Sequence, residues 1–385
     1  MKILLAATGS ENFSGAAKCL LELANGLRSK GNQVIVLLPC HGEVENLLKQ
    51  KNIDYYVIKQ HQAWYIYLDN KYPNRYQGIK RIANRRAVNA VIKLIRAKNI
   101  DIVHENASTA YVAALAAEEC HIPVVWHLRE FMEEDLGITF FDSKYSEKIM
   151  NRSTMAIAIS EAVKEKWTQR LHIPIHVIHD GVPIENYYIE RKFKRHERLN
   201  ILIYGRIVPQ KGQLFFFQAM AKFAKLYGNN RIHCSWAGRI EDQRYYDSII
   251  TLQHENSMES YCEYLGEVSN IKSILRNTDI VAVCSEMEGF GRVTVESMLA
   301  GTIVIGADTG ATKELIKDGE NGYLYTNHDI ESFVNKLHQI VENQEGALLS
   351  AKRGQASAIE EYSLEHDVEQ VIELYREIVP FEANQ

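Results

Sequence analysis

The sequence predicts an α/β protein built from two parallel-sheet halves, and three observations carry that expectation. Short apolar runs alternate with amphipathic helical patterns along nearly all of the 385 residues, the mark of layered α/β folding. The alternation restarts once, after a polar stretch at residues 189–198 that contains Arg191-Lys192-Phe193-Lys194-Arg195. Both cycles open alike, with an apolar strand, a turn containing glycine and then a helix. At roughly 150 residues per domain the length allows two to three domains. Hydrophobic residues at 46% and charged residues at 24% exclude a disordered, collagenous or coiled-coil chain. The 22 glycines and 7 prolines are too few for a long flexible linker, and such a chain buries sizeable cores without staples.

In order, the first half offers strands at Lys2–Ala7, Gln33–Leu38, Asp54–Ile58, Asp101–His104, Pro123–His127, Thr154–Ile159 and Ile175–His179. Between the first two, Gly15–Lys30 places Leu20, Leu23, Ala24 and Leu27 at helical spacing, and Gly31 ends it. The second half offers strands at Leu199–Tyr204, Arg231–Ala237, Cys262–Leu265, Asp279–Cys284 and Thr302–Gly306. A last helical pattern at Leu364–Ile378 follows the second core and is expected to pack back across the first. The economical reading is two Rossmann-like domains, residues 1–185 and 186–362, facing a central cleft, with a C-terminal helix in 363–385.

The formal net charge is −5, which argues against bulk nucleic-acid binding, but the charge is uneven. Residues 1–180 carry 23 Lys/Arg against 19 Asp/Glu, and the remainder 21 against 30, so the halves are expected to meet different partners. The six cysteines form no C-x-x-C pair, which suits buried thiols in a reducing cytosol better than disulfides or zinc. The opening Met1–Ala7 turns polar too soon for a signal-peptide core. No apolar run approaches the ~20 residues that span a bilayer. A cytoplasmic protein, attached to a membrane at most peripherally on its inner face, is the expectation.

Three segments carry chemistry. The first strand ends Ala7-Thr8-Gly9-Ser10 and a helix begins near Ser14-Gly15; unpaired N–H groups at such a helix start favour a phosphate. The spacing is not G-x-G-x-x-G, so the dinucleotide fingerprint fails and a plain α/β turn stays open. The second segment, Tyr204-Gly205-Arg206-Ile207-Val208-Pro209-Gln210-Lys211-Gly212, carries two cations from a strand end into a helix start, where open α/β sheets bind ligands. Arg206 and Lys211 could there clamp a diphosphate and stabilise it as a leaving group; two solvated surface cations are the plainer alternative. The third segment runs from Ser285 to Glu296. Glu288 follows an apolar strand, Gly289-Phe290-Gly291 exposes backbone N–H groups at the next helix start, and Glu296 lies a turn into that helix. One carboxylate could hold a sugar hydroxyl and the other a ribose diol, or both could belong to a helix-capping cluster.

With these pieces in order, the chain resembles the retaining glycosyltransferases of family four, which have the GT-B fold. Gly205-Arg206 with Lys211-Gly212 is similar to that family's phosphate-binding stretch, and Glu288 to Glu296 to its E-x-seven-E motif. Flanking pieces agree in order: Tyr264–Val268, Ala300-Gly301-Thr302, Thr309–Glu314 and Asn321–Leu324. The resemblance implies that Arg206, Lys211 and Gly15 contact the donor diphosphate, that Glu296 binds the ribose, and that Glu288, Phe290 and Gly291 hold the donor sugar. It implies that Leu265, Gly266 and Val268 line the base pocket, with Val293 approaching by its backbone. His127 corresponds to a histidine near the sugar and acceptor, so His127 and Glu288 are the candidate catalytic residues; His104 reads as structural. The family often has paired glycines where this chain has Ser14-Gly15 and Gly310-Ala311, and Asn-Gly where it has Asp180-Gly181.

The activity implied is transfer of a hexose-type sugar, with retention, from a nucleotide diphosphate sugar to a hydroxyl of a saccharide or lipid-linked acceptor, as in bacterial surface polysaccharide synthesis. No cofactor is implied beyond the co-substrate, with UDP the expected nucleotide. The sequence contains no D-x-D, and two cations can neutralise a diphosphate, so metal-independent transfer is expected. Front-face attack, assisted by the leaving phosphate, is what the resemblance implies for retention. A GT-B nucleotide-sugar epimerase and a non-catalytic sugar-binding partner subunit stay open. Between Asp69 and Asp101 lie nine cations and no acid: Lys71, Arg75, Lys80, Arg81, Arg85, Arg86, Lys93, Arg96 and Lys98. Trp64–Tyr67, Tyr72 and Tyr76 lie beside them, and Val88, Val91, Ile92 and Ile95 are expected to face inward. A basic helix beside aromatics suits an anionic membrane surface or a lipid-diphosphate acceptor, with a solvated helix face over a normal core as the plainer alternative. Glu130–Phe141 is the expected acceptor wall.

Overall fold

The computed structural model describes residues 1–11, 14–68, 76–191 and 194–379. Lys71, Tyr72, Arg75, Lys192 and Phe193, singled out above, lie outside the described residues. The chain forms two compact units, Met1–Gly181 with the stretch from Leu364 onward, and Val182–Ser363.

The first unit contains β1 (Lys2–Ala6), β2 (Gln33–Leu38), β3 (Asp54–Val57), β4 (Tyr65–Tyr67), β5 (Ile102–Glu105), β6 (Val124–Leu128), β7 (Ile138–Phe140), β8 (Met155–Ala158) and β9 (Ile175–Val177). Seven of these make a parallel sheet in the order β3-β2-β1-β5-β6-β8-β9. The order reverses between β1 and β5, which pair in register from Ile3 with Ile102 to Ala6 with Glu105. β4 and β7 pair antiparallel outside that sheet, Tyr65 opposite Phe140 and Tyr67 opposite Ile138. Neither is read from the pattern, since both stand outside the strand–helix alternation of the main sheet.

The helix Gly15–Ser29 starts where expected, with Ser14 capping it by accepting from Ala17 N at 3.2 Å. Its buried face shares one core with β1, β2 and the helix Leu364–Ile378, which contributes Val368, Val371, Ile372 and Leu374. Gly26 is the close approach: a Cβ there would stand 2.4 Å from Val368 Cγ2. The basic helix runs Gln77–Lys98, and here one expectation is corrected. Val91 and Ile95 are buried but Val88 and Ile92 are only half-buried; Asn84, Ala87 and Leu94 complete the inner face. The core therefore follows the 84–87–91–94 track, one step round the helix from the assumed one, and Ile79 and Ile82 are left 64% and 70% exposed.

The second unit contains β10 (Leu199–Tyr204), β11 (Ile232–Ala237), β12 (Cys262–Tyr264), β13 (Ile280–Val283), β14 (Ile303–Ala307) and β15 (Tyr323–Tyr325). They form one parallel sheet in the order β12-β11-β10-β13-β14-β15, reversing between β10 and β13. Phe216, Phe217, Trp236 and Phe333 fill its core. Cys19, Cys234 and Cys284 are buried, and all six thiols are free. Among the described residues no helix is long and apolar enough to cross a membrane.

Candidate active site

In the second unit the neighbouring strands β10 and β13 carry two loops that are tied to each other. Glu286 N donates to Gln210 O at 3.0 Å. Gly212, at φ +69°, comes so close that a Cβ there would stand 1.9 Å from Cys284 O. Only glycine fits that position, both for its backbone and for its space. The result brings Lys211 from one loop to Glu288 of the other, Nζ to Oε1 at 2.6 Å, and Ser285 Oγ donates to the same oxygen at 2.5 Å.

Glu288 is an ionised group kept in a buried place. Burial alone would raise its pKa, but the Lys211 charge and hydrogen bond, the Ser285 hydroxyl and the charge of Arg206 together hold it below the ordinary carboxylate value. It can accept hydrogen bonds and carry negative charge, and it is a poor proton donor. Its backbone is fixed from a third loop, where Ala311 N donates to Glu288 O at 2.9 Å. Gly310, at φ +52°, passes so near that a Cβ would stand 2.6 Å from that oxygen.

Arg206 leaves the end of β10 and pairs with Glu241, Nη1 to Oε2 at 3.0 Å, its side chain 55% exposed. Glu296 lies in the helix Arg292–Leu299, which Gly291 opens at φ +92°. Its carboxylate receives Tyr204 Oη at 3.4 Å and stands 3.6 Å from Arg292 Nε. Phe290 is buried edge-on against Tyr362, centroids 6.0 Å apart. Leu265 N donates to Trp236 O at 2.9 Å, and Gly238 N to Gly266 O at 2.8 Å, so the β12 exit is laced to the end of β11. Leu265, Gly266, Val268 and Val293 are half-buried there and at the helix start. The arrangement sets two cations, two carboxylates and the Gly289–Gly291 turn at the C-terminal ends of parallel strands.

The first unit is built differently. Gly15 is exposed at a helix start, with nothing within 4 Å of where a Cβ would be. His127, near the end of β6, has no exposed surface. Its Nδ1 lies 3.1 Å from His104 Nε2 and 3.1 Å from Arg129 Nη2. Arg129 also holds Asp180 through Nη1 and donates from Nε to Asn106 O at 2.9 Å. Burial first, then the Arg129 charge, push both imidazoles far below 6.5, His104 to about 3. Glu130, in the expected acceptor wall, turns inward and accepts from Ser108 N at 2.6 Å and from its hydroxyl. Burial raises it to about 7.

Pattern reading missed Ser285 and Tyr204, although both sit inside the segments it singled out. It missed Arg129 altogether, since a cation two residues after His127 has no recognisable spacing. Glu241 follows a turn after β11 and carried no signal. Among the described residues no three or more His, Cys, Asp or Glu side chains are grouped as a metal site.

A family model described as Glycosyl transferases group 1 matches residues 187–357, and one described as Glycosyltransferase Family 4 matches residues 13–186. An uncharacterized glycosyltransferase of Methanocaldococcus jannaschii is 25% identical over 87% of this chain and 93% of its own. The UDP-Gal:alpha-D-GlcNAc-diphosphoundecaprenol alpha-1,3-galactosyltransferase of Escherichia coli is 23% identical over 94% of this chain and 96% of its own. Anabaena HepE, solved in complex with UDP, superimposes with a TM-score of 0.81 at 23% identity, covering 97% of this chain and 99% of that one. The shared architecture is GT-B.

Proposed function

The chain belongs to the family-four glycosyltransferases of GT-B fold, and from that premise we propose that it moves a hexose-type sugar from a UDP-sugar to a hydroxyl of a saccharide or lipid-linked acceptor, with retention and without a metal. One observation carries the reading: Lys211 and Glu288, brought together at 2.6 Å with Arg206 electrostatically in range. Arg206 and Lys211 take the diphosphate and stabilise its charge as the bond to the sugar breaks. Glu288, ionised and fixed by Ser285, accepts from sugar hydroxyls and favours positive charge developing at the anomeric carbon. Its low pKa and its pairing with Lys211 fit an electrostatic role rather than that of a nucleophile. Glu296 takes the ribose diol, Phe290 and Gly291 offer backbone N–H groups to the sugar, and Gly15 lets the diphosphate approach. Leu265, Gly266, Val268 and Val293 surround the base, and His127, which has no exposed surface, is assigned to the sugar side by the family resemblance alone. The UDP complex of HepE and the lipid-diphosphate acceptor in the Escherichia coli relative's name support the donor and acceptor classes.

The test is a thermal-shift panel of UDP, GDP, ADP and their sugar conjugates in EDTA. A binder raises the melting temperature by mass action. UDP and one UDP-sugar are expected to stand out, and Lys211→Ala to abolish the shift. The anomeric configuration of the product, read by NMR, settles retention. Turnover lost in EDTA and restored by magnesium overturns the metal-free reading.

A membrane surface is the proposed location of the acceptor, on the inner face of the cell membrane. Arg85 and Arg86 are exposed on the helix Gln77–Lys98 beside the outward Ile79 and Ile82, and cations around exposed aliphatics suit anionic lipid. Arg81 is committed otherwise, 3.3 Å from Asp142 and over the Tyr145 ring at 4.3 Å. Anionic vesicles should bind the protein and neutral ones should not, with Arg85→Ala/Arg86→Ala losing most of the binding. Indifference to lipid charge removes the idea.

A further inference from the structure

Arg292 opens the helix Arg292–Leu299, at the end of a helix where a cation is least favoured. It precedes Glu296 by four residues, and that order of cation and carboxylate is the weaker of the two along a helix. Helix stability therefore gives little reason for this residue. Its Nε stands 3.6 Å from Glu296 Oε1, and the two side chains are only 16% and 8% exposed. The pair is sheltered at the edge of the site, where a carboxylate without a counter-charge would repel a bound diphosphate.

The other carboxylate oxygen is met from a different element. Tyr204, the last residue of β10, places its Oη 3.4 Å from Glu296 Oε2, 3.3 Å from Val293 O and 3.2 Å from Ser297 Oγ. A carbonyl and an ionised carboxylate only accept. Ser297 Oγ already gives its single proton to Val293 O at 2.6 Å. None of the three is left to donate to the phenol, so the Tyr204 hydroxyl donates, and the strongest acceptor in reach is the carboxylate. Burial first, then the Glu296 charge, hold the phenol protonated, its pKa far above the ordinary 10.

We propose that Tyr204 and Arg292 are positioning residues which hold the Glu296 carboxylate from two sides, so that it reads the vicinal hydroxyls of ribose and makes the site selective for ribonucleotides. This deepens, and rests on, the reading in which Glu296 takes the ribose diol. A carboxylate oxygen accepts more than one hydrogen bond, so an oxygen held by Arg292 or Tyr204 stays open to a sugar hydroxyl. The terminal torsion of a glutamate is otherwise loosely defined. Contacts from a strand end and a helix start remove that freedom before the nucleotide arrives, and a fixed acceptor rejects a ligand that lacks the hydroxyl it is set to meet.

The test is calorimetric titration of the full chain with UDP, 2′-deoxy-UDP and 3′-deoxy-UDP. The unaltered chain should bind UDP about tenfold more tightly than at least one deoxy analogue, as expected for one unmade hydrogen bond to a carboxylate. Glu296→Ala should bring that ratio close to unity. Tyr204→Phe and Arg292→Met, which keep the ring and the stem, should each lower it to about threefold. Arg292→Lys, which keeps a cation, should retain most of it. Each ratio is taken within one variant, so a loss of folded protein cancels, and a failure of one variant to fold leaves the other to be read. A full ratio in Tyr204→Phe and Arg292→Met overturns the inference, even if all three ligands bind more weakly; its collapse in Glu296→Ala alone leaves the ribose reading standing. No discrimination by the unaltered chain overturns both.

Discussion

The two units keep their polar groups in opposite states. In the second, the site is charged: Glu288 is held ionised by Lys211 and Ser285, and Arg206 faces solvent beside Glu241. In the first, the buried groups are mostly neutral. His104 and His127 are pushed below their ordinary pKa, while burial lifts Glu105 to about 8 and Glu130 and Asp367 to about 7. Arg129 with Asp180 is the charged exception. The difference follows from how each is assembled. The charged site stands on two loops at adjacent strand ends, where a cation from one meets a carboxylate from the other. The neutral network lies beneath strand ends, out of reach of water, where an unpaired charge is expensive.

The largest effect expected from this contrast is at Lys211. Lys211→Ala leaves Glu288 buried with its chief counter-charge gone and removes a cation from the proposed diphosphate clamp. Turnover should fall about 100- to 1,000-fold, roughly 3 kcal/mol of transition-state stabilisation. Lys211→Arg should recover part of it. Turnover reduced less than tenfold by Lys211→Ala means that the charged site is not where the diphosphate sits.

The contrast also explains what was legible in the sequence. Gln33–Leu38, Leu199–Tyr204 and Leu364–Ile378 are observed with the bounds expected from pattern, because long apolar periodicities survive folding. The second unit's cations and carboxylates were legible for a related reason. Glu288 and Glu296 sit eight apart across one strand–loop–helix unit, so spacing along the chain encodes spacing in space. The first unit's network has no such encoding. Tyr375 and His104 are 271 residues apart, and Arg129 and Asp180 are 51 apart. Nothing in either neighbourhood announces the other. The antiparallel β4 and β7 stand outside the strand–helix alternation on which the reading rests, and the edge strand β15 was likewise not read.

A backbone change comes next in size. Gly310→Ala would put a methyl 2.6 Å from Glu288 O at a residue with φ +52°. The strain should cost about 1–3 kcal/mol and displace the ionised carboxylate, lowering both the melting temperature and turnover. Gly9→Ala is the matched control in the first unit, since nothing lies within 4 Å of its Cβ position. If both variants behave alike, the charged site does not depend on that close approach.

Smaller still is the pH signature of the neutral network. By about pH 6.5 an unfolded chain has released its carboxyl protons, while folded Glu105, at about 8, retains most of its own. Unfolding then releases protons, so stability should fall as pH rises from about 6.5 through 8. The slope is at most about 1.4 kcal/mol per pH unit for each such carboxyl. The buried histidines pull the other way only below their ordinary 6.5. Glu105→Gln should flatten the decline in urea midpoint over that window. Parallel declines would mean that Glu105 is already ionised and that the first unit is not neutral after all.

The smallest expected effect concerns Arg206, the one cation of the clamp whose partner lies outside it. Glu241 holds its guanidinium at 3.0 Å with both side chains partly in solvent, and such a pair is worth about 0.2–1 kcal/mol. Whatever Arg206 gives to a diphosphate it must withdraw from Glu241, so Glu241→Gln should tighten UDP binding by up to about fivefold. Lys211 has no comparable release, because its carboxylate belongs to the same site. Salt discriminates the two cases: the advantage of Glu241→Gln should shrink as ionic strength screens the exposed pair. The sheltered Lys211–Glu288 contact should respond far less. Weaker UDP binding in Glu241→Gln would give Glu241 the opposite role, holding Arg206 in place for the diphosphate rather than competing for it.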